Sequence, residues 1–199
     1  MAAVRHRWVH EVRGTTTVEF ALVSVVFFVA VLGVVDFGRA LWDWNRAAKA
    51  TQIGVRAAVV SDLAARDLSA LDGTAASAIG APVPVGAVSP NPTVCTDDGC
   101  CGALDGVDVG ALDRAAFDRI VGSMRPFFDR IDAANVVVEY RHIGLGMAGT
   151  PDGPDVAPLV TVRLRNMRFE FLAIAFLGLP AIDMPDFRAT LTMEDGRDG

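Results

Sequence analysis

Residues 13–42 read RGTTTVEFALVSVVFFVAVLGVVDFGRALW and contain the longest apolar run of the chain. Within this stretch, Phe20–Val35 are sixteen residues without a charge, and Ser24 is their only polar side chain. A membrane-spanning helix needs about 20 mostly apolar residues, so the run lies near the lower limit and its extension towards Trp42 brings it into range. The stretch therefore predicts one membrane-spanning helix, which precedes most of the chain.

Charged and aromatic residues flank the apolar run as they flank membrane helices. Asp36 and Arg39 are three positions apart on one helical face, where they can form an ion pair near the bilayer edge. Trp8 precedes the run and Trp42 and Trp44 follow it, where an aromatic belt is expected. The alternative is a buried core helix of a soluble protein, but such helices seldom have so long an uncharged run with basic residues only upstream.

The distribution of charge predicts the orientation of the helix. Residues 1–14 carry three Arg and one Glu, a net charge of +2, whereas the rest carries fifteen Lys and Arg against twenty-three Asp and Glu, a net charge of −8. Because positive flanks stay in the cytoplasm, we expect a cytoplasmic amino terminus and an extracytoplasmic carboxyl-terminal domain in the cell (inner) membrane. A secretory signal cleaved after Ala40 is the competing interpretation. Against it, the run exceeds the usual length of a signal core, and Asp36 and Arg39 crowd the cleavage position.

Length and composition limit the remaining possibilities. With 199 residues, of which 52% are hydrophobic, the chain can form one membrane helix and one modest globular domain. A net charge of −6 and a single Lys argue against nucleic-acid binding, which needs clustered basic residues. We expect four parts: a basic cytoplasmic leader (1–14), a long helix that spans the membrane in its first half (15–70), a Gly/Pro/Cys-rich loop region (71–108) and an extracytoplasmic α+β domain (109–199).

A stripe of small residues marks the second half of the predicted long helix. Ala47, Ala50, Gly54 and Ala58 follow one another at spacings of three and four, so they share one helical face. Such a stripe lets another backbone approach closely. An alanine-rich composition is also simply favourable for a helix, and the sequence does not separate these two explanations.

The loop region 71–108 holds all three cysteines, Cys95, Cys100 and Cys101. Because cysteines outside the cytoplasm tend to pair, we expect a disulfide between Cys95 and either Cys100 or Cys101, with one thiol left over. We predict no metal site. The chain has no fourth cysteine and no histidine at ligand spacing, and the residues around Asp97 lack the acidic alternation of a calcium loop.

The carboxyl-terminal part has the patterns of one amphipathic helix and about three strands. In residues 110–132, apolar side chains recur at spacings of three and four, and Pro126 is expected to kink or end the helix. The segments 135–141, 159–171 and 187–193 are rich in β-branched residues or alternate between apolar and polar. Together they predict an α+β fold: a long membrane-spanning helix, then a small domain with one amphipathic helix and an antiparallel sheet of about three strands.

An apolar turn separates the last two strand segments. Residues 172–185 read LAIAFLGLPAIDMP, and their apolar part, 172–182, is too short to cross a bilayer. We interpret it as a buried loop. Contact with the outer membrane face or with a partner protein is the alternative.

The residues at the head of the apolar run resemble a known signature. Arg13-Gly14 followed by TTTVEFAL at 15–22, with DFGRAL at 36–41 and RAA at 56–58, is similar to the amino-terminal region of TadE-like proteins. These are pseudopilins of the tight-adherence (Flp) branch of type IV pilus machines. The likeness is specific over residues 13–60.

The similarity to TadE-like proteins does not extend evenly over the chain. It is looser over the carboxyl-terminal third of the chain and absent between about 70 and 108. The main pilins of this branch usually have Tyr after the Glu of their signature, whereas this chain has Phe20. This departure, together with the length, favours a minor, TadE-type component over the main pilin.

The resemblance implies a processing site and an assembly residue. In the family, an aspartyl prepilin peptidase cuts after the glycine that precedes the apolar helix, and the fifth residue of the mature chain is a glutamate. Here the cut falls between Gly14 and Thr15, and Glu19 is the fifth residue. The implied partners are this peptidase, other pilin and pseudopilin subunits, the inner-membrane assembly platform and the lipid bilayer. The implied role is structural, in pilus biogenesis, secretion and adhesion, either in the filament or in the membrane.

No catalytic constellation is visible in the sequence. His6 and His10 lie in the leader, which leaves His142 as the only other histidine. We find no Gly-rich phosphate loop and no Ser-His-Asp arrangement, so we expect no cofactor and no enzymatic activity. The alternative function is an exported or membrane-anchored ligand-binding domain or enzyme of unknown substrate, which would require a concave polar pocket.

Overall fold

The computed structural model describes residues 12–66, 68, 73–85, 91–104, 107–108, 111–149, 155–178 and 180–193. Most of the leader, including Trp8 and the two leader histidines, lies outside the described residues. Contacts group the chain into two compact units. One unit comprises Met1–Leu41 and Glu170–Ile182, and the other comprises Trp42–Phe169 and Asp183–Gly199.

Helix α1 runs from Val12 to Val60 and has 49 residues. Among the described residues, it is the one helix long and apolar enough to cross a membrane by length and composition. Its most apolar window has a mean hydropathy of 2.7, and none of that window is buried. The predicted long amino-terminal apolar helix is therefore confirmed.

The second unit contains a five-stranded antiparallel sheet in the order β2–β1–β5–β6–β9. Two smaller sheets each have two strands, β3 with β4 and β7 with β8. The described strands are β1 (Thr93–Thr96), β2 (Gly99–Cys101), β3 (Ala103–Leu104), β4 (Val107–Asp108), β5 (Val136–Arg141), β6 (Leu159–Leu164), β7 (Arg168–Glu170), β8 (Ala181–Asp183) and β9 (Phe187–Thr192).

The α+β class is confirmed, but the predicted number of strands is too low. Two of the segments predicted as strands correspond to β5 and β9, and the third, 159–171, is divided into β6 and β7 at Asn166, which has a left-handed φ of 57°. The sheet gains β1 and β2 from the Gly/Pro-rich region, because their four and three residues are too short to show an alternation. Pairing with β5 stabilises β1 as a strand despite its neighbouring turn residues.

Helix α2 spans Arg114–Met124 and is the predicted amphipathic helix. Asp113 caps it, since its side chain accepts a hydrogen bond of 3.1 Å from the amide of Ala116. The helix ends well before residue 132, because Pro126 cannot donate a backbone hydrogen bond. Its buried face consists of Ala116, Phe117, Ile120, Val121 and Met124.

The stripe of small residues on α1 packs inside the second unit. Ala47, Ala50 and Ala58 are fully buried, and Gly54 is buried with them. A Cβ atom on Gly54 would lie 2.6 Å from Met124 Sδ of α2 and 3.3 Å from Val162 Cγ1 of β6. The side chains of Met124 and Val162 therefore occupy the space that a side chain at position 54 would need.

A buried tyrosine fixes the chain just after α1. The hydroxyl of Tyr140 in β5 accepts a hydrogen bond of 2.9 Å from the amide of Ala64. Burial raises the pKa of Tyr140, so this residue stays neutral at physiological pH. Since both residues are almost fully buried, the bond satisfies an amide that would otherwise lack a partner in the core.

The β1–β2 hairpin carries the three cysteines. Cys95 and Cys100 are directly opposite each other and are joined by a disulfide. Both are buried, whereas Cys101 is exposed and has a free thiol. The bond closes a short turn in a segment with little core of its own. Its presence in the exported protein stays a prediction.

We predict that Gly54→Leu destabilises the second unit. The new side chain meets Met124 and Val162, and overpacking of this kind costs about 1–3 kcal/mol. At this chain length that corresponds to a fall in melting temperature of roughly 2–12 °C. The fall in melting temperature is measured by thermal unfolding of the detergent-solubilised protein, with near-ultraviolet circular dichroism as the signal.

Gly122→Leu is the matched control. Gly122 lies in α2, is exposed, and has no atom within 4 Å of the position of an added Cβ. Leu is a better helix former than Gly, so this variant should keep or slightly raise the melting temperature. An equal fall for both variants would show that the close packing at Gly54 is not the cause.

A second prediction concerns the cysteines. Mass spectrometry of non-reduced peptides from the exported protein should find one Cys95–Cys100 bridge and an alkylated Cys101, as in the structure. Cys100→Ser should abolish the bridge, whereas Cys101→Ser should leave it intact. Three alkylated thiols in the native exported protein, or a bridge to Cys101, would contradict this pairing.

Candidate membrane and assembly site

The predicted processing and assembly residues lie at the start of α1. Gly14 and Thr15 belong to its first turn, and Glu19 follows one turn after Thr15. The side chain of Glu19 is exposed, as is that of its neighbour Phe20, which is 74% exposed. The structure thus places a carboxylate on the surface of the helix, directly before its uncharged run.

The apolar surface of α1 extends around the whole helix. Every large apolar residue from Val18 to Phe37 is between 43% and 74% exposed. A helix that is apolar on all sides is normally buried in a protein core or in a membrane. Because exposed apolar area costs roughly 25 cal/mol per Å² in water, this surface needs lipid or the helices of other chains around it.

Asp36 differs from every other residue of this apolar surface because its side chain is only 1% exposed. Its carboxylate accepts hydrogen bonds from three consecutive backbone amides, those of Leu172 at 3.1 Å, Ala173 at 2.8 Å and Ile174 at 3.1 Å. Arg39 Nη1 donates a fourth bond, at 3.1 Å. Each oxygen accepts two bonds, so the acceptor capacity of the carboxylate is filled.

These bonds make Asp36 the cap of a helix that is distant in sequence. The 3₁₀-helix Ile174–Leu177 begins after Ala173, which has no side chain able to cap it. The carboxylate of Asp36 accepts from the amides at this helix start, which would otherwise lack partners. The two segments belong to the same compact unit.

The sequence identified only part of this arrangement. The predicted pair of Asp36 and Arg39 is present. The three amides were missed, because a backbone donor 136 to 138 positions away leaves no local pattern. One signal was available: the run LAIAFL starts a helical turn without Ser, Thr, Asp or Asn to cap it.

The hairpin that contains this turn exposes apolar side chains. Phe171 donates a backbone hydrogen bond of 3.0 Å to the carbonyl of Pro180, and Gly178 ends the 3₁₀-helix with a left-handed φ of 87°. Leu172 is 66% exposed and Ile182 is 45% exposed. The interpretation of 172–182 as a buried loop is therefore wrong for these residues. The physical reason is that backbone hydrogen bonds, rather than burial of Leu172 and Ile182, hold the loop.

A polar cavity of about 220 Å³ lies on the outer face of the main sheet. Arg163 crosses this face, donating bonds of 2.8 Å to Glu139 and 2.9 Å to Asp186. These two bonds raise the pKa of Arg163. The cavity is concave and polar, as a ligand site requires, but its carboxylate is ion-paired and its lining offers no thiol or imidazole. It is lined by Pro92, Glu139, Arg141, Leu159, Thr161, Arg163, Arg188 and Thr190.

The remaining chemistry-bearing residues form no further site in the described part of the chain. His142 is nearly buried, with its Nε2 3.3 Å from the carbonyl oxygen of Pro84. Within the described ranges, no group of three or more His, Cys, Asp or Glu residues is arranged to hold a metal ion.

Comparison with known proteins identifies the amino-terminal segment. Residues 14–56 match the family model described as TadE-like protein. No curated protein and no solved structure matched the chain. The matched segment includes Gly14, Glu19 and Asp36, and it covers most of α1. Over this segment the chain is similar to TadE-like proteins.

Proposed function

We propose that the protein is a minor, pilin-like structural subunit of a tight-adherence (Flp) pilus or of its assembly machinery. The observation that carries the proposal is the apolar surface of α1, which is exposed on all sides within the segment that matches the TadE-like family. Such a surface suits a helix that is stored in a membrane and then packs beside the helices of other subunits. The family is one of structural proteins associated with pili, so this role is non-enzymatic.

The proposed orientation leaves the amino terminus in the cytoplasm and the α+β domain outside. The basic leader supports the first part, since positive flanks stay inside. The disulfide between Cys95 and Cys100 supports the second, because such bonds persist in oxidising compartments outside the cytoplasm. The protein would then be a single-pass protein of the cell membrane.

Processing is the first step of the proposed mechanism. An aspartyl prepilin peptidase would cut between Gly14 and Thr15, releasing the basic leader. The bond lies in the first turn of α1, where helices fray, and Gly14 weakens the helix further. A protease can therefore unwind this turn at low cost and reach the backbone without meeting a side chain at Gly14.

Assembly is the second step, and it assigns a role to Glu19. Cleavage would create an α-amino group on Thr15, one turn before Glu19 on the same helical face. Glu19 would pair with the amino group of a neighbouring subunit and so set the axial offset between two helices. The inner-membrane assembly platform and other pilin subunits would be the partners in this step, which serves pilus biogenesis and adhesion.

We predict that Gly14→Leu leaves the full-length precursor in cells that contain the matching peptidase. A side chain at this position blocks the close approach of the peptidase to the backbone. Amino-terminal sequencing of the membrane-extracted protein should give Thr15 for the wild type and Met1 for the variant.

The control for processing is Gly33→Leu, a change at a glycine of α1 whose added Cβ would meet no atom within 4 Å. This variant should still begin at Thr15. A wild-type protein that begins at Met1 beside an active peptidase would contradict the pseudopilin mechanism. A protein that begins at Leu41 would instead identify a secretory signal.

A further prediction is that Glu19→Gln is inserted and cleaved normally but loses its crosslinks to neighbouring pilin subunits. The substitution removes the charge and keeps the size. An unpaired acidic residue near a membrane helix end is costly, by less than the roughly 2.5–3.5 kcal/mol found at mid-helix, so pairing is a driving force. Site-specific crosslinking in membranes, followed by co-purification, measures the loss.

Asp118→Asn controls for a general effect of removing one negative charge, because Asp118 is an exposed residue of α2. It should crosslink like the wild type. Normal crosslinking by Glu19→Gln would mean that Glu19 only extends towards the interfacial water and does not pair with another subunit.

A further inference from the structure

The segment Phe171–Ile182, which we call the apolar hairpin, has the composition of a membrane-contacting element. It reads FLAIAFLGLPAI, and none of its twelve residues has a charged or polar side chain. The first charged residues on either side are Glu170 and Asp183. Leu172, 66% exposed, and Ile182, 45% exposed, present apolar surface outward.

The bonds to Asp36 set the level of the apolar hairpin along α1. Asp36 is the first residue after the uncharged run Phe20–Val35. At about 1.5 Å per residue, it lies roughly 26 Å along the helix axis from Glu19, which is close to the hydrocarbon thickness of a bilayer. When Glu19 is at the inner interface, Asp36 and the three amides it binds are at the outer interface.

The hydrogen bonding of the apolar hairpin fits a site in lipid. In a membrane the backbone N–H and C=O groups need hydrogen-bond partners within the protein, because lipid offers none. Asp36 accepts from the amides of Leu172, Ala173 and Ile174, and the amide of Phe171 bonds to the carbonyl of Pro180. The amides at the start of this turn are therefore satisfied, while the exposed side chains of Leu172 and Ile182 can contact acyl chains.

We infer that the apolar hairpin is a second membrane element, inserted in the outer leaflet beside α1, and that Asp36 is its positioning residue. Lipid is the occupant that the observations favour. The apolar hairpin belongs to the same compact unit as the exposed apolar surface of α1, and it offers no charge or polar side chain for recognition by a protein. The inference rests on the proposed membrane insertion of α1.

Depth-dependent fluorescence quenching tests this inference on the full chain. Leu172→Cys is made in a Cys101→Ser background, which keeps the Cys95–Cys100 bridge, and is labelled with an environment-sensitive fluorophore. The labelled protein is reconstituted in vesicles of phosphatidylcholine and phosphatidylglycerol. Lipids brominated near the headgroup or near the bilayer centre quench from within the membrane, and iodide quenches from water.

Two label positions serve as references. Val26→Cys reports insertion of α1, since Val26 is 70% exposed in its apolar run. Thr190→Cys reports the water-exposed sheet, since Thr190 is exposed in β9. The label at Leu172 should be quenched by bromine near the headgroup, that at Val26 by bromine near the bilayer centre, and that at Thr190 by iodide alone.

The outcomes separate this inference from the proposed function. If Val26 is quenched by lipid and Leu172 only by iodide, α1 spans the membrane but the apolar hairpin does not enter it. If the label at Leu172 is shielded from both quenchers, the apolar hairpin contacts protein and not lipid, and the inference is also overturned. If lipid quenches neither position, the membrane anchor itself is wrong.

A variant of Asp36 tests its positioning role. Asp36→Ala removes the acceptor of three amides, so lipid quenching at Leu172 should weaken roughly threefold or more while that at Val26 is unchanged. Arg39→Gln removes one donor to Asp36 and leaves the three amides bound. Lipid quenching of the label at Leu172 should therefore be the same as in the parent protein. Unchanged quenching at Leu172 in Asp36→Ala, with Val26 inserted as in the parent, would overturn the role of Asp36.

Discussion

The carboxylate of Asp36 is the interaction on which the first unit depends. A buried carboxylate is costly unless its lone pairs are used, and this one accepts three backbone amides and one arginine bond. The same bonds also cap the turn that begins at Ala173, which has no capping side chain of its own. One residue of α1 thus fixes a segment more than 130 positions later, and neither partner is satisfied without the other.

The first part of α1 exposes large apolar side chains, whereas its second part buries small residues inside the second unit. Up to Phe37 its exposed side chains are mainly Val, Leu and Phe, which would give lipid or neighbouring helices a large contact area. From Ala47 to Ala58 its buried face combines Ala and Gly with Thr51 and Val55, and at Gly54 the side chains of Met124 and Val162 occupy the space next to the backbone. The continuous 49-residue helix therefore carries two different interfaces, and large side chains could not replace the small ones at Gly54 without displacing Met124.

Local periodicity made the two helices and the longer strands of this structure predictable. The apolar run of α1, the three- and four-residue spacing of α2 and the alternation in β6 are signals contained within one segment, and each element was found. The strands β1 and β2 were not distinguished, since they are short and lie among turn residues. The pairing of β1 with β5 and of β2 with β1, together with the disulfide, stabilises them as strands. At the candidate site, the pair of Asp36 and Arg39 followed from spacing, whereas the amides of the apolar hairpin depend on tertiary contact alone.

Asp36 and Glu19 are the carboxylates at the two ends of the apolar run, and they differ in whether their own chain supplies hydrogen-bond partners. Asp36 is buried and fully bonded within its own chain, so its charge is compatible with the edge of a membrane without any partner protein. Glu19, at the other end, is exposed on the helix surface. In the proposed membrane setting its charge must reach interfacial water or a cation from another subunit. Because Asp36 is satisfied within its own chain, only Glu19 of these two carboxylates is left to pair with a neighbouring subunit, and such a pair would set how far the two helices are displaced along their axes.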